Sequence, residues 1–188
     1  EIEKGKIYGL VGRNGSGKTV LMKCICGLIK PTSGEVKVAG KTVGKDVDIP
    51  EDIGVIIETP GFIPNYSGFK NLKLLASVRN KISNEEIRKS MEIVGLEPKS
   101  RKHVGKYSLG MRQKLGIAQA IMEKPKILIL DEPMNGLDNE SVAVVRKILK
   151  EQAENGATII LASHNREDID VLCDKVYTMD HGVIECER

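Results

Sequence analysis

A chain of 188 residues, 40% of them hydrophobic, can bury one substantial core and has the usual length of a single domain. Its longest apolar stretches, at 127–130 and 159–162, are far shorter than the ~20 residues of a membrane-crossing helix, so no such helix is expected. The formal net charge is +3, and Lys and Arg are interleaved with Asp and Glu; this gives no electrostatic footprint for nucleic acid, and none is expected as a partner.

In chain order, short β-rich apolar runs alternate with helical patterns, the signature of an α/β fold with a mostly parallel sheet and helices on its faces. The chain starts at Glu1 with neither an initiator Met nor a basic-then-apolar leader, and its first residues read as the middle of a structural unit, so truncation at the N-terminus is expected. The first strand falls at 6–11, followed by a glycine-rich loop and a helix over 19–27. Further strands are predicted at 35–38, 53–58, 126–130, 157–162 and 175–179. Asp180-His181-Gly182 then supplies the turn for a small antiparallel return strand through Val183 and Ile184. The core strands are apolar along nearly their whole length, as strands covered on both faces should be.

Between 58 and 107 the pattern changes to a Pro/Gly-rich loop and two helices, about 69–79 and 84–94. The expectation is one domain over 1–188, with an α/β core from 1–58 and 111–188 and a helical subdomain inserted at about 59–110. Phe62, Tyr66 and Phe69 make 60–74 a candidate contact surface, with packing inside the helical region as the alternative. Further on, Met111, Leu115, Ala118 and Met122 share one helix face, as do Val142, Val145 and Leu149. The cysteines at 24, 26, 173 and 186 contain no C-x-x-C pair and read as reduced thiols of a cytosolic protein; zinc or a disulfide framework is the weaker reading.

The first chemistry-bearing segment is Gly12-Arg13-Asn14-Gly15-Ser16-Gly17-Lys18-Thr19, which fits the phosphate-loop pattern G-x-x-x-x-G-K-S/T between a strand and a helix. Its glycines let the backbone wrap phosphate oxygens, so that successive N–H groups and the helix N-terminus face the anion. Asn14, Gly15, Ser16, Gly17, Lys18, Thr19 and Val20 are therefore the expected ATP contacts. Lys18 brings a charge to the β and γ phosphates, and the Thr19 hydroxyl is a ligand for Mg²⁺. The fold implied is a P-loop NTPase core.

A second signal follows the strand at 126–130, where Asp131 and Glu132 stand at its carboxyl end, the edge at which open α/β sheets bind ligands. Asp131 is expected to hold Mg²⁺, directly or through water, and Glu132 to orient and deprotonate an attacking water.

These motifs and several others, in this order, resemble ABC ATPases over essentially the whole chain. Tyr107-Ser108-Leu109-Gly110-Met111 is similar to the signature segment, usually L-S-G-G-Q, with Leu109 in place of a glycine and Met111 in place of the glutamine. The resemblance implies that Ser108 and Gly110 contact the γ-phosphate of ATP held by the opposite subunit. Asn135-Gly136-Leu137-Asp138 resembles the loop that links the two sites of the dimer, and His164 matches the histidine that senses the γ-phosphate. Most ABC ATPases carry glutamine where this chain has Glu58, and the Glu variant followed by Thr59-Pro60-Gly61-Phe62-Ile63-Pro64 resembles the bacitracin and lantibiotic export group. Glu58 would offer Mg²⁺ a full carboxylate where glutamine offers a neutral carbonyl.

The resemblance implies an ATPase working with Mg²⁺, with Lys18, Glu132 and His164 as its catalytic residues and Thr19, Glu58 and Asp131 as its metal ligands. It further implies a head-to-tail dimer with a second ATPase subunit and a separate integral membrane permease that holds the chain at the cytoplasmic face. The aromatic that stacks on adenine is expected upstream of Glu1. The rival reading is a non-transport ABC ATPase of the DNA-repair or translation type, which usually carries coiled coils, zinc insertions or duplicated cassettes; no such feature is seen in this sequence. A P-loop kinase or GTPase is disfavoured by the signature segment and His164.

Overall fold

The computed structural model describes residues 2–187. In chain order its elements are β1 (Ile7–Val11), α1 (Lys18–Ile25), β2 (Lys37–Val38), β3 (Lys41–Thr42), β4 (Ile53–Ile56), α2 (Gly68–Arg79), α3 (Asn84–Ile93), α4 (Leu109–Ile121), β5 (Ile127–Asp131), α5 (Asn139–Glu154), β6 (Thr158–Ala162), α6 (Arg166–Leu172), β7 (Lys175–Asp180) and β8 (Val183–Cys186). Among the described residues six strands form one sheet in the order β4-β5-β6-β1-β7-β8. All neighbours pair parallel except β8, which returns antiparallel on β7.

The apolar runs are continuous because the pleat sends alternate residues to two covered faces. On one face Ile7, Leu128, Leu130, Ile159 and Leu161 pack with residues of α2 to α6, among them Leu72, Met91, Leu115, Leu149 and Ile169. On the other, Tyr8, Leu10, Ile129, Ile160 and Ala162 pack with Met22 and Cys26 at α1. Burial raises the Cys26 thiol to about 11, so it stays protonated through the physiological range and acts as a small apolar side chain.

Helix starts follow local chemistry. The side chains of Ser67, Ser83, Ser108, Asp138 and Asn165 accept hydrogen bonds from amides in the first turns of α2 to α6, and Ser83 with Glu86 completes a reciprocal capping box. At α1 the N-cap is Gly17, in a left-handed conformation and without a side-chain bond. The orphan amides of that turn are left for another acceptor.

Three local departures from the sequence reading have physical causes. The strand expected at 35–38 is only β2, half of a two-residue hairpin with β3, because Ala39 and Gly40 both take positive φ, as a type I′ turn demands. The strand expected to reach Glu58 ends at Ile56, and Glu58 itself turns to φ 58°. Finally, α6 is a short, polar-surfaced helix that gave no periodic signal. Phe62 and Phe69, read as candidates for a contact surface, are partly buried against the core, and Arg88 lies 4.8 Å from the centre of the Phe69 ring. Tyr66 stays exposed, with Lys70 5.2 Å from its ring centre.

Candidate nucleotide site

The carboxyl ends of β1, β5 and β6 open onto one edge of the sheet, and register decides what meets there. Asp131 pairs with Ala162, and Leu10 pairs with Ala162 from the other side. The chain segments leaving these strands therefore emerge side by side: the glycine-rich loop from β1, Glu132 from β5 and His164 from β6.

Leaving β1, the chain passes over Gly12 at φ 153°, where a Cβ would stand 2.2 Å from the Met179 carbonyl oxygen. No side chain fits there, so the glycine is needed for close approach to β7. The turn after β7 braces the loop from below, since the Gly182 amide donates to the Ser16 carbonyl at 3.0 Å. Lys18 Nζ donates to the carbonyls of Gly12 at 2.8 Å and Arg13 at 3.0 Å, which holds the ammonium over the loop. The Ser16 hydroxyl is buried and has no hydrogen-bond partner among the described residues. Orphan amides, a cation over the loop and an unsatisfied hydroxyl together suit a bound polyanion.

Thr19 Oγ1 donates to Asp131 Oδ2 at 2.8 Å, which joins the first turn of α1 to the end of β5. Glu132 has φ 50°, a region side-chain-bearing residues rarely occupy. Its amide donates to the Ala162 carbonyl at 2.9 Å, and its Oε2 lies 2.8 Å from His164 Nδ1. Glu58 is held by Lys23 of α1, whose Nζ donates to Oε1 at 2.6 Å. Lys23 follows Thr19 by four residues and so rises from the same face of the helix.

A cleft of about 530 Å³ runs between these groups. Its walls include the phosphate loop from Asn14 to Val20, together with Glu58, Asp131 and Glu132. Ser108, Gly110 and His164 do not line it. Ser108 caps α4 by accepting from the Met111 amide at 3.2 Å, while a Cβ on Gly110 would stand 3.0 Å from the Gly136 carbonyl oxygen. Asp138 caps α5, and its hydrogen bonds with the Ser141 side chain and amide hold its carboxyl below the usual carboxylate range.

Sequence reasoning missed Lys23, Leu109, Arg112 and Gln113 as neighbours of this cleft. The four-residue spacing to Thr19 could have found Lys23. Gln113 left no such trace, because its partners are backbone carbonyls. Among the described residues no three or more His, Cys, Asp or Glu side chains are arranged to hold a metal ion. A hydroxyl and a few carboxylates beside a polyanion cradle form the sparse oxygen set that suits Mg²⁺, which takes its remaining ligands from phosphate and water.

A family model described as ABC transporter matches residues 1–135. The chain belongs to the ABC transporter family. Accordingly it is an ATP-binding cassette with ATPase activity, and it carries the family's α/β fold. It is 49% identical to the uncharacterized ABC transporter ATP-binding protein YybJ of Bacillus subtilis (strain 168), over 97% of this chain and 84% of that protein. It is 45% identical to the bacitracin transport ATP-binding protein BcrA of Enterococcus faecalis, over 96% of this chain but only 59% of BcrA. It is also 37% identical to the lantibiotic transport ATP-binding protein SrtF of Streptococcus pyogenes, over 100% of this chain and 80% of SrtF. A solved ATP-binding subunit of an ABC transporter superposes with a TM-score of 0.87 at 26% identity, covering 99% of this chain and 80% of that one. The ABC cassette MJ0796, in a dimeric post-hydrolysis state bound to ADP and Pi, also gives 0.87, at 22% identity, and supports the shared fold. No helix of the described residues is long and apolar enough to cross a membrane.

Proposed function

We propose that this chain powers the export of a peptide antibiotic or similar amphiphile through a separate membrane permease, working at the cytoplasmic face as half of a head-to-tail ATPase dimer. The observation that carries the catalytic part is the seating of Glu132 beside the phosphate loop, with Oε2 held by His164 Nδ1 at 2.8 Å. The assignment of peptide cargo rests on the relatedness to BcrA and SrtF.

In this reading the phosphate-loop amides and Lys18 bind the β and γ phosphates of ATP, with Asn14, Gly15, Ser16, Gly17, Thr19 and Val20 around them. Thr19, Asp131 and Glu58 would hold Mg²⁺, which when bound supplies charge neutralisation on the phosphate oxygens. Glu132 orients a water and takes its proton at Oε1, the oxygen not engaged by His164. The water oxygen bonds to the γ-phosphorus as the bond to the β-phosphate oxygen breaks, giving ADP and inorganic phosphate. His164 keeps the Glu132 carboxylate aimed and meets the γ-phosphate. Ser108 and Gly110, which do not line the chain's own cleft, serve the nucleotide of the opposite subunit, and residues 59–110 act as the helical subdomain that faces the permease.

The test couples enzyme and cell. Expressed with its permease in a peptide-sensitive host, the chain should raise the tolerated bacitracin concentration, and Glu132→Gln should abolish both protection and turnover while ATP binding persists. Normal turnover by purified Glu132→Gln protein would reassign the proton acceptor; failure to protect by an active ATPase would remove the peptide cargo.

A further inference from the structure

We infer that Gln113 is a positioning residue that ties Glu132 to the helix opened by the signature segment of the same chain; the inference rests on Glu132 being the proton acceptor. Gln113 is a polar side chain in the buried part of α4, 7% exposed, and its amide points away from solvent toward the loop after β5. Its Nε2 donates to the Glu132 carbonyl at 3.1 Å and to the Pro133 carbonyl at 2.9 Å. Two acceptors facing one group require a donor with two protons. A carboxylate there would set acceptor against acceptor, and an ammonium would bury a charge.

What the amide holds is a backbone that would not keep this shape alone. Glu132 sits at φ 50°, and its peptide groups are fixed from three directions: its amide on the Ala162 carbonyl of β6 at 2.9 Å, its carbonyl under the Asn135 amide at 3.1 Å, and the same carbonyl under Gln113. Release of one tether rotates the residue and re-aims its carboxylate. The first turn of α4 lies on the same loop. A Cβ on Gly136 would stand 2.5 Å from Leu109 Cδ2, and one on Gly110 would stand 3.0 Å from the Gly136 carbonyl oxygen. From Leu109 to Gln113 the helix therefore rests on residues 132–136. A shift of the helix end that carries Ser108 reaches Glu132 through one buried amide, with no need for the intervening loop to deform.

The experiment compares Gln113→Met, of similar size and lacking donors, with Glu132→Gln and with the double variant, all in the full-length protein. Expected for Gln113→Met is a fall in kcat of about 10- to 100-fold, the scale of a small misplacement of a reacting group. KM for ATP should stay within about twofold, with binding of a fluorescent ATP analogue retained. Adding Gln113→Met to Glu132→Gln should cost nothing further, because the two act as one unit. Gln113→Glu, isosteric but presenting an acceptor when ionised, is the second variant should the first misfold, and its kcat at pH 8 should fall at least as far. If Glu132→Gln abolishes turnover while a folded Gln113 variant keeps its kcat, the positioning role is wrong. If losses of kcat, ATP binding and thermal midpoint move together, the residue is merely structural. Retained turnover in Glu132→Gln would instead overturn the assignment on which the inference rests.

Discussion

His164 Nδ1 and Glu132 Oε2 lie 2.8 Å apart although 32 positions separate them in the chain, because the register of β5 on β6 pairs Asp131 with Ala162 and releases both segments at the same edge. The histidine side chain is otherwise largely exposed, so its position depends on this contact.

His164→Ala should therefore lower kcat by about 100-fold, the range of a lost acid–base or aiming group, while ATP still binds. Phosphate release and nucleotide binding measured on one preparation check this. An unchanged kcat would mean that Glu132 is aimed without the imidazole.

The ion pair of Lys23 with Glu58 yields a different expectation. Both partners reach solvent, and pairs of this kind contribute ~0–1 kcal/mol. Glu58→Gln should leave the thermal midpoint nearly unchanged yet alter the ATPase response to the permease, since it replaces a charged oxygen lining the cleft, the proposed Mg²⁺ ligand, with a neutral one. Unchanged hydrolysis together with unchanged export would remove Glu58 from coupling.

Stability should be most sensitive at Asp168, which is 1% exposed. It accepts from Arg146 Nε at 2.9 Å, Arg146 Nη2 at 2.6 Å and Ser163 Oγ at 3.2 Å. Asp168→Ala leaves the mostly buried Arg146 with only the exposed Glu167, to which Nη1 donates at 2.9 Å, and should cost about 3 kcal/mol, seen as a fall in Tm of about 6–12 °C. Ser163 also accepts from the Asn165 amide, so the turn that carries His164 loosens with it. Calorimetry and turnover of the variant should decline together.

The sequence made some of this plain and left other parts dark for definite reasons. Gly12 to Thr19 is legible because phosphate binding fixes residue type and spacing within one continuous segment. The strands at 127–131 and 158–162 are legible because two covered faces confine polar residues to their ends, at Asp131 and Thr158. The segment similar to the signature is recognisable despite Leu109 and Met111, since Ser108 and Gly110 keep their order at the start of a helix. What stayed hidden lies between segments. The meeting of Glu132 with His164 depends on strand order, and the hold of Gln113 on Glu132 depends on carbonyls 19 and 20 positions away, which any residue could supply. The Ala39-Gly40 turn and the seven-residue α6 were too short for periodicity to show.

The placement of β1 carries a consequence for biosynthesis. This strand leads into the phosphate loop, yet its sheet neighbours are β6 and β7, with Ile7 beside Ile159 and Gly9 beside Val176. At ribosomal speeds of roughly 5–20 residues per second, on the order of 10–30 s pass between synthesis of the loop and of the strands that flank it. The nascent chain thus presents an unpaired, largely apolar strand throughout that interval and cannot form its nucleotide cradle until β7 emerges. ATP can stabilise the cradle only after β7 has been made, and chaperone dependence during translation should track β1, while the helices following β4 can settle earlier.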